Sequence, residues 1–80
     1  MHETHLIQPI IDGIAAHAQK EGAQIVLKVR LRVGDLTGVK EESFKETFSM
    51  LAKDTLLEKA DLELTFFPGT QIEVISFDID

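Results

Sequence analysis

Residues 25–33, Ile25-Val26-Leu27-Lys28-Val29-Arg30-Leu31-Arg32-Val33, decide the fold. Ile25, Leu27, Val29, Leu31 and Val33 alternate with Val26, Lys28, Arg30 and Arg32, a period of two. Successive side chains of a strand point to opposite faces, so this stretch predicts a strand with one face on a core and the other mostly in water. Upstream, from Thr4 to Glu21, apolar residues recur at Leu6, Ile7, Ile10, Ile11, Ile14, Ala15 and Ala18, the spacing of one helical face. Thr4 is the expected N-cap, with Glu3 beside the positive end of the helix dipole, and Gly22 the expected stop. Pro9 deletes a hydrogen bond and Gly13 is a poor helix former, so a kinked or loose first turn is expected.

Downstream, Gly34-Asp35-Leu36-Thr37-Gly38 is turn chemistry. A second helix is predicted from Glu41 to Lys53, acidic in its first turn and apolar at Phe44, Phe48, Leu51 and Ala52. Leu56 and Leu57 are expected to cover one edge of the core. The remainder reads as a hairpin. Leu62, Leu64 and Phe66 alternate with Glu63 and Thr65, Pro68-Gly69-Thr70 reverses the chain, and a last strand runs from Gln71 to Ile79. Ile72 and Val74 share a parity that Ile75, Phe77 and Ile79 do not, which means two partly buried faces or a bulge near Ile75. The order helix–strand–helix–strand–strand predicts an α+β fold, two helices packed on one face of a three-stranded mixed or antiparallel sheet. Eighty residues leave room for one domain, 1–80.

Composition removes several function classes. A formal charge of −6 disfavours binding to a phosphate backbone, which needs clustered Lys and Arg. No apolar run reaches the ~18–20 residues that span a bilayer, and the polar, acidic start does not read as a secretory signal. The chain has no cysteine, hence no disulfide and no thiolate metal site. These features fit a cytoplasmic protein. No residue set supports general acid–base or nucleophilic catalysis, so a non-enzyme is expected.

Chemistry concentrates at Met1-His2-Glu3. The Met1 amine and the His2 amide nitrogen can close a five-membered chelate ring around a metal. The His2 amide nitrogen and Nδ1 can close a six-membered one, and the Glu3 amide nitrogen lies next along the chain. Nitrogen donors in a square-planar or tetragonal set suit Ni(II) or Cu(II). His2 is large, so Met1 is expected to remain untrimmed. Taken alone, these residues are read more simply as a polar, frayed terminus.

The rest of the chain alters that reading. Met1-His2-Glu3 before a helix, then Val29-Arg30-Leu31-Arg32-Val33-Gly34-Asp35-Leu36-Thr37-Gly38-Val39, then Leu51-Ala52-Lys53-Asp54-Thr55-Leu56-Leu57-Glu58-Lys59-Ala60-Asp61-Leu62-Glu63-Leu64, and the closing Val74-Ile75-Ser76-Phe77-Asp78-Ile79-Asp80, resemble the HypA/HybF family. The resemblance implies a nickel metallochaperone for [NiFe]-hydrogenase maturation, or for urease, with His2, Met1 and Glu3 as metal residues and Ni(II) as the cargo. It implies a HypB-like maturation GTPase and a hydrogenase large-subunit precursor as partners, and a monomer or weak homodimer. Members usually carry a zinc domain with paired Cys-x-x-Cys motifs between the second and third strands. This chain crosses that point with Phe67-Pro68-Gly69-Thr70, so the insertion is replaced by a tight turn near 67–70 and no zinc is expected. Some members bring an acidic side chain to the metal near the start of the second helix, where this chain has Lys40, followed by Glu41 and Glu42. The missing domain and Lys40 leave an alternative, a non-metallated HypA-like interaction module that has lost nickel delivery.

The other polar residues have simpler readings. His5 can offer an imidazole to a metal at the terminus but is better read as an exposed helix residue, and His17 as a partly buried core or edge histidine. Asp12 and Asp35 are solvent-face and turn residues. Lys28, Arg30 and Arg32 suggest an anionic partner or, preferably, a stripe facing Glu63, Glu73 and Asp78 across the sheet. Phe44, Phe48, Phe66 and Phe77 are expected core aromatics.

Overall fold

The computed structural model describes residues 3–80, the side chain of Glu3 aside. The elements are α1 (Glu3–Lys20), β1 (Val26–Gly34), a 3-10 turn (Asp35–Thr37), α2 (Glu41–Ala52), β2 (Asp61–Phe67) and β3 (Ile72–Ile79). The α+β class and the element order are borne out. α1 runs as one helix through Pro9, and Thr4 lies inside it, so the expected cap at Thr4 is corrected: the helix already includes Glu3. Gly22 takes the left-handed conformation (φ +81°) two residues past the helix, as its stop requires.

The sheet has the order β2-β1-β3, with β2 parallel and β3 antiparallel to β1. This corrects the expected hairpin: the last two strands do not pair with each other but flank β1. α2 is the crossover that joins the parallel pair. The connection after β2 then passes over the end of β1, where the Gly34 N–H donates to the Gln71 carbonyl (2.7 Å) and the Leu36 N–H to the Gly69 carbonyl (2.9 Å). A Cβ on Gly34 would stand 2.8 Å from the Thr70 amide nitrogen and closer still to the Gly69 carbonyl.

Two bulges correct the alternation. Val26 pairs with Ile79 and Lys28 with Asp78, so Leu27 is an extra residue on β1 and is exposed, while Val26 turns inward. Arg30 pairs with Ser76 and Leu31 with Val74, so Ile75 is the extra residue on β3, where the sequence parity broke. The core joins Ile7, Ile11, Ile14 and Ala18 of α1, Val26, Val29 and Leu31 of β1, Phe44, Phe48 and Ala52 of α2, Leu57 and Leu62. Each fully buried large apolar side chain contributes roughly 1.5–3 kcal/mol. Phe77 is half-buried, and Phe66, on an edge strand, is 39 % exposed rather than a core aromatic.

The opposite sheet face is open to water and ordered by charge. Lys28 Nζ lies 3.0 Å from Glu63 and 3.9 Å from Asp61. Arg30 donates two hydrogen bonds of 3.1 Å to the Asp78 carboxylate and one of 3.3 Å to Ser76 Oγ. Arg32 stands 3.4 Å from Glu73 and 4.1 Å above the Phe67 ring. The basic stripe is therefore satisfied across the strands. The hydrogen bond from Arg30 holds the Asp78 carboxyl below its ordinary value, and that from Lys28 does the same for Glu63.

Gly34→Ala should lose about 1–3 kcal/mol, because two backbones must part. Gly13→Ala should gain about 0.5–1 kcal/mol, since Gly13 is helical and an added methyl meets nothing within 4 Å. Urea midpoints for both variants check this pair. Depressed carboxyl pKa values stabilise the fold above the ordinary carboxylate range, and that contribution is lost as pH falls through the depressed values. The urea midpoint should accordingly drop as pH falls below the ordinary carboxylate range of about 4, and drop less steeply in Asp78→Asn than in the parent.

Candidate metal centre

α1 enters its helix at Glu3, one peptide unit after His2. Met1 and His2, two of the three metal residues expected from the sequence, lie outside the described residues, and so does the Glu3 side chain. What the structure does establish is the setting into which they lead. The first four N–H groups of a helix have no carbonyl partner inside it. The Glu3 amide, at the first helical residue, can therefore be given to a ligand without breaking a hydrogen bond of α1.

Topology fixes the neighbours of that helix start. Both helices run antiparallel to β1, so their amino-terminal ends share the end of the sheet where β1 and β2 finish. Between the first turns of α1, the 3-10 turn and the connection after β2 lies a cleft of about 460 Å³. It is lined by His5, Leu6, Ile10, Thr37, Thr70 and Ile72. The turn is rigidly built: Thr37 Oγ1 donates to the Gly34 carbonyl (2.7 Å) and accepts from the Val39 N–H (3.2 Å), and Gly38 is left-handed (φ +79°). α2 follows with Lys40 as its N-cap in extended conformation and with Glu41 and Glu42 in its first turn; Glu41 pairs with Lys45 at 3.3 Å. The acidic first turn of α2 thus sits at the end of the molecule where α1 begins.

The histidines separate. His5 is exposed and lines the cleft. His17, three turns further along, is exposed rather than partly buried and meets Phe77 edge-on with ring centroids 5.4 Å apart, an edge position far from the helix start. Among the described residues no group of three or more His, Cys, Asp or Glu side chains could hold a metal ion. Cleft residues Leu6, Ile10, Thr37, Thr70 and Ile72 were not marked by sequence reasoning. One signal did exist: an apolar Leu36 set between polar turn residues and two glycines.

A family model described as hydrogenase/urease nickel incorporation, metallochaperone, HypA matches residues 1–72. A hydrogenase maturation factor HypA from Chlorobium phaeobacteroides (strain BS1) is 47 % identical over 62 residues, 78 % of this chain and 55 % of the relative. Its counterpart from Prosthecochloris aestuarii is 38 % identical over 65 residues, 81 % of this chain and 58 % of the relative. The chain thus spans little more than half the length of these relatives. The solution structure of the Ni metallochaperone HypA from Helicobacter pylori superimposes with a TM-score of 0.71 at 18 % identity, covering 95 % of this chain and 72 % of that one. A second solution structure of a HypA protein gives 0.83 at 16 % identity, covering 100 % and 97 %. At such identities the superpositions establish the fold, and the family follows from the match over residues 1–72: the chain belongs to the HypA family of hydrogenase and urease nickel-incorporation metallochaperones.

Proposed function

We propose that this chain carries Ni(II) as cargo at its amino terminus and passes it on during hydrogenase maturation. The single observation that supports the reading is that α1 begins at Glu3, directly behind Met1 and His2. The His2 Nδ1 and amide nitrogen and the Met1 amine or Glu3 amide nitrogen are the donors. A metal-bound backbone nitrogen has lost its proton and carries negative charge, which the positive end of a helix dipole favours. Glu41 or Glu42 supplies a carboxylate at the same end in place of the position held by Lys40. With few protein ligands on a chain terminus, the metal exchanges readily, as delivery requires.

The partners follow from the same reading: a HypB-like GTPase that supports loading and a hydrogenase large-subunit precursor, or a urease, that receives the ion, in the cytoplasm. The domain is 1–80, with the turn at 67–70 in place of the zinc-bearing insertion. With no cysteine, the chain brings no thiolate for zinc.

Ni(II) titration of the parent, of His2→Ala and of a form extended before Met1 tests the assignment. Both altered forms should bind at least about tenfold more weakly, because each removes a donor of a chelate ring. Each backbone proton released on binding costs on the order of tenfold in affinity per pH unit of acidification, and protonation of His2 adds to the loss below about pH 6.5. Affinity should therefore fall steeply from pH 8 to pH 6. Equal affinity in all three forms would instead favour the non-metallated interaction module.

A further inference from the structure

We propose that the free edge of β2 is a homodimer interface. A second copy of the chain adds its own β2 there, antiparallel, about a two-fold axis through Leu64. Such a dimer is independent of nickel binding.

Among the described residues β2 and β3 are both edge strands, since β1 lies between them. An edge strand turns alternate N–H and C=O groups to its free side. Natural edges are commonly blunted by a bulge, a proline or an inward-pointing charge. β3 has such a device, because the bulge at Ile75 interrupts it. β2 has none. Its seven residues, Asp61–Phe67, pair with β1 in unbroken register and include neither Pro nor Gly. Its core-side row is Leu62, Leu64 and Phe66, all apolar; Leu64 is half-buried and Phe66 is 39 % exposed. The chain leaving β2 crosses the end of β1 and so turns away from this edge.

The strand's own sequence identifies the occupant. Opposite residues of an antiparallel pair share a face. An axis through Leu64 sets the whole strand against itself, and every pairing is compatible. On the core side Leu62 meets Phe66 of the second copy, and Leu64 meets Leu64. On the open side Glu63 meets Thr65 of the second copy, whose hydroxyl can donate to its carboxylate. Asp61 has the longest ion pair of this face, 3.9 Å to Lys28, and its side chain is 78 % exposed. It meets Phe67 of the second copy, and Arg32 stands 4.1 Å above that ring. No like charges oppose each other. An axis one residue earlier sets Glu63 against Glu63, and one residue later leaves Asp61 and Leu62 without a strand partner. The isologous contact repeats every pairing and closes on itself, joining two sheets as β3-β1-β2-β2-β1-β3.

The test is sedimentation equilibrium of the chain from micromolar to millimolar concentration, in excess chelator so that nickel takes no part. A reversible monomer–dimer equilibrium is expected. Thr65→Glu, which sets a carboxylate against Glu63 twice in the dimer, should weaken it on the order of tenfold. Thr65→Lys should strengthen it by a similar factor. Thr65 is exposed and pairs with Arg32 of its own chain. Within one copy the preference therefore runs the other way, and the Glu variant should melt no lower than the Lys variant. Ile75→Glu, which charges the edge of β3 at a residue 51 % exposed, should leave association unchanged. Amide shifts of the ¹⁵N-labelled chain on dilution should centre on residues 62–66. A monomer at every concentration, association indifferent to the sign of the charge at position 65, or association lost in Ile75→Glu would each overturn the proposal. So would dilution shifts centred on Gly13, Val74 and Phe77.

Discussion

Strand β1 carries the basic side chains of the open sheet face, and both of its neighbours carry acidic ones; the architecture follows from that arrangement. Lys28, Arg30 and Arg32 lie between Asp61 and Glu63 on one side and Glu73 and Asp78 on the other. Each exposed ion pair is worth only about 0–1 kcal/mol. Their weight lies in choosing among arrangements. If β2 and β3 paired directly, with Phe67 across from Ile72, Asp61 would face Asp78, and like charges opposite each other destabilise a sheet. With β1 central, every acidic position meets a cation. The parallel β1–β2 pair then requires a crossover, which α2 supplies. The chain leaving β2 must pass over the end of β1, and Gly34 has to be a glycine.

Much of this was legible in the sequence. The helical faces of α1 and α2, the inward Val29, Leu31 and Val33, and the parity break at Ile75 all follow from periodicity, because burial repeats with the geometry of the element. What misled was locality. Pro68-Gly69-Thr70 has the composition of a hairpin turn, and a short connection between two strands ordinarily pairs them. Turn chemistry specifies a reversal but not what passes beneath it. The charge pattern held the missing information, since an acidic, a basic and an acidic strand can be neutralised only with the basic one in the middle. The bulge at Leu27 was harder to place: the apolar run Ile25-Val26-Leu27 leaves open which residues face the core, and the extra residue exists only relative to β3.

The candidate site divides along a similar line. Met1-His2-Glu3 stands out in the sequence as a candidate because chelate rings are set by covalent connection and need no tertiary structure. Nothing local in Leu6, Ile10, Thr37, Thr70 or Ile72 marks a cleft, since three separate segments form it only once β1 is central and the connection from β2 crosses its end. The basic stripe shows the converse: Lys28, Arg30 and Arg32 look like an anion site in one dimension and are spent on neighbours in three.

The same topology bears on the metal site proposed at the terminus. Two helices that both run antiparallel to β1 bring two positive dipole ends to one end of the molecule. That field repels a bare divalent cation, and it favours anionic nitrogen and carboxylate. The proposed site of deprotonated backbone nitrogens, with Glu41 and Glu42 at the same end, would turn an unfavourable place for an ion into a favourable place for its ligands. Because such ligands must lose protons before they bind, a metal would be held there only as long as those protons stay away. On that reading, a partner that delivers protons or competing donors to this end would take the ion without unfolding the helix behind it.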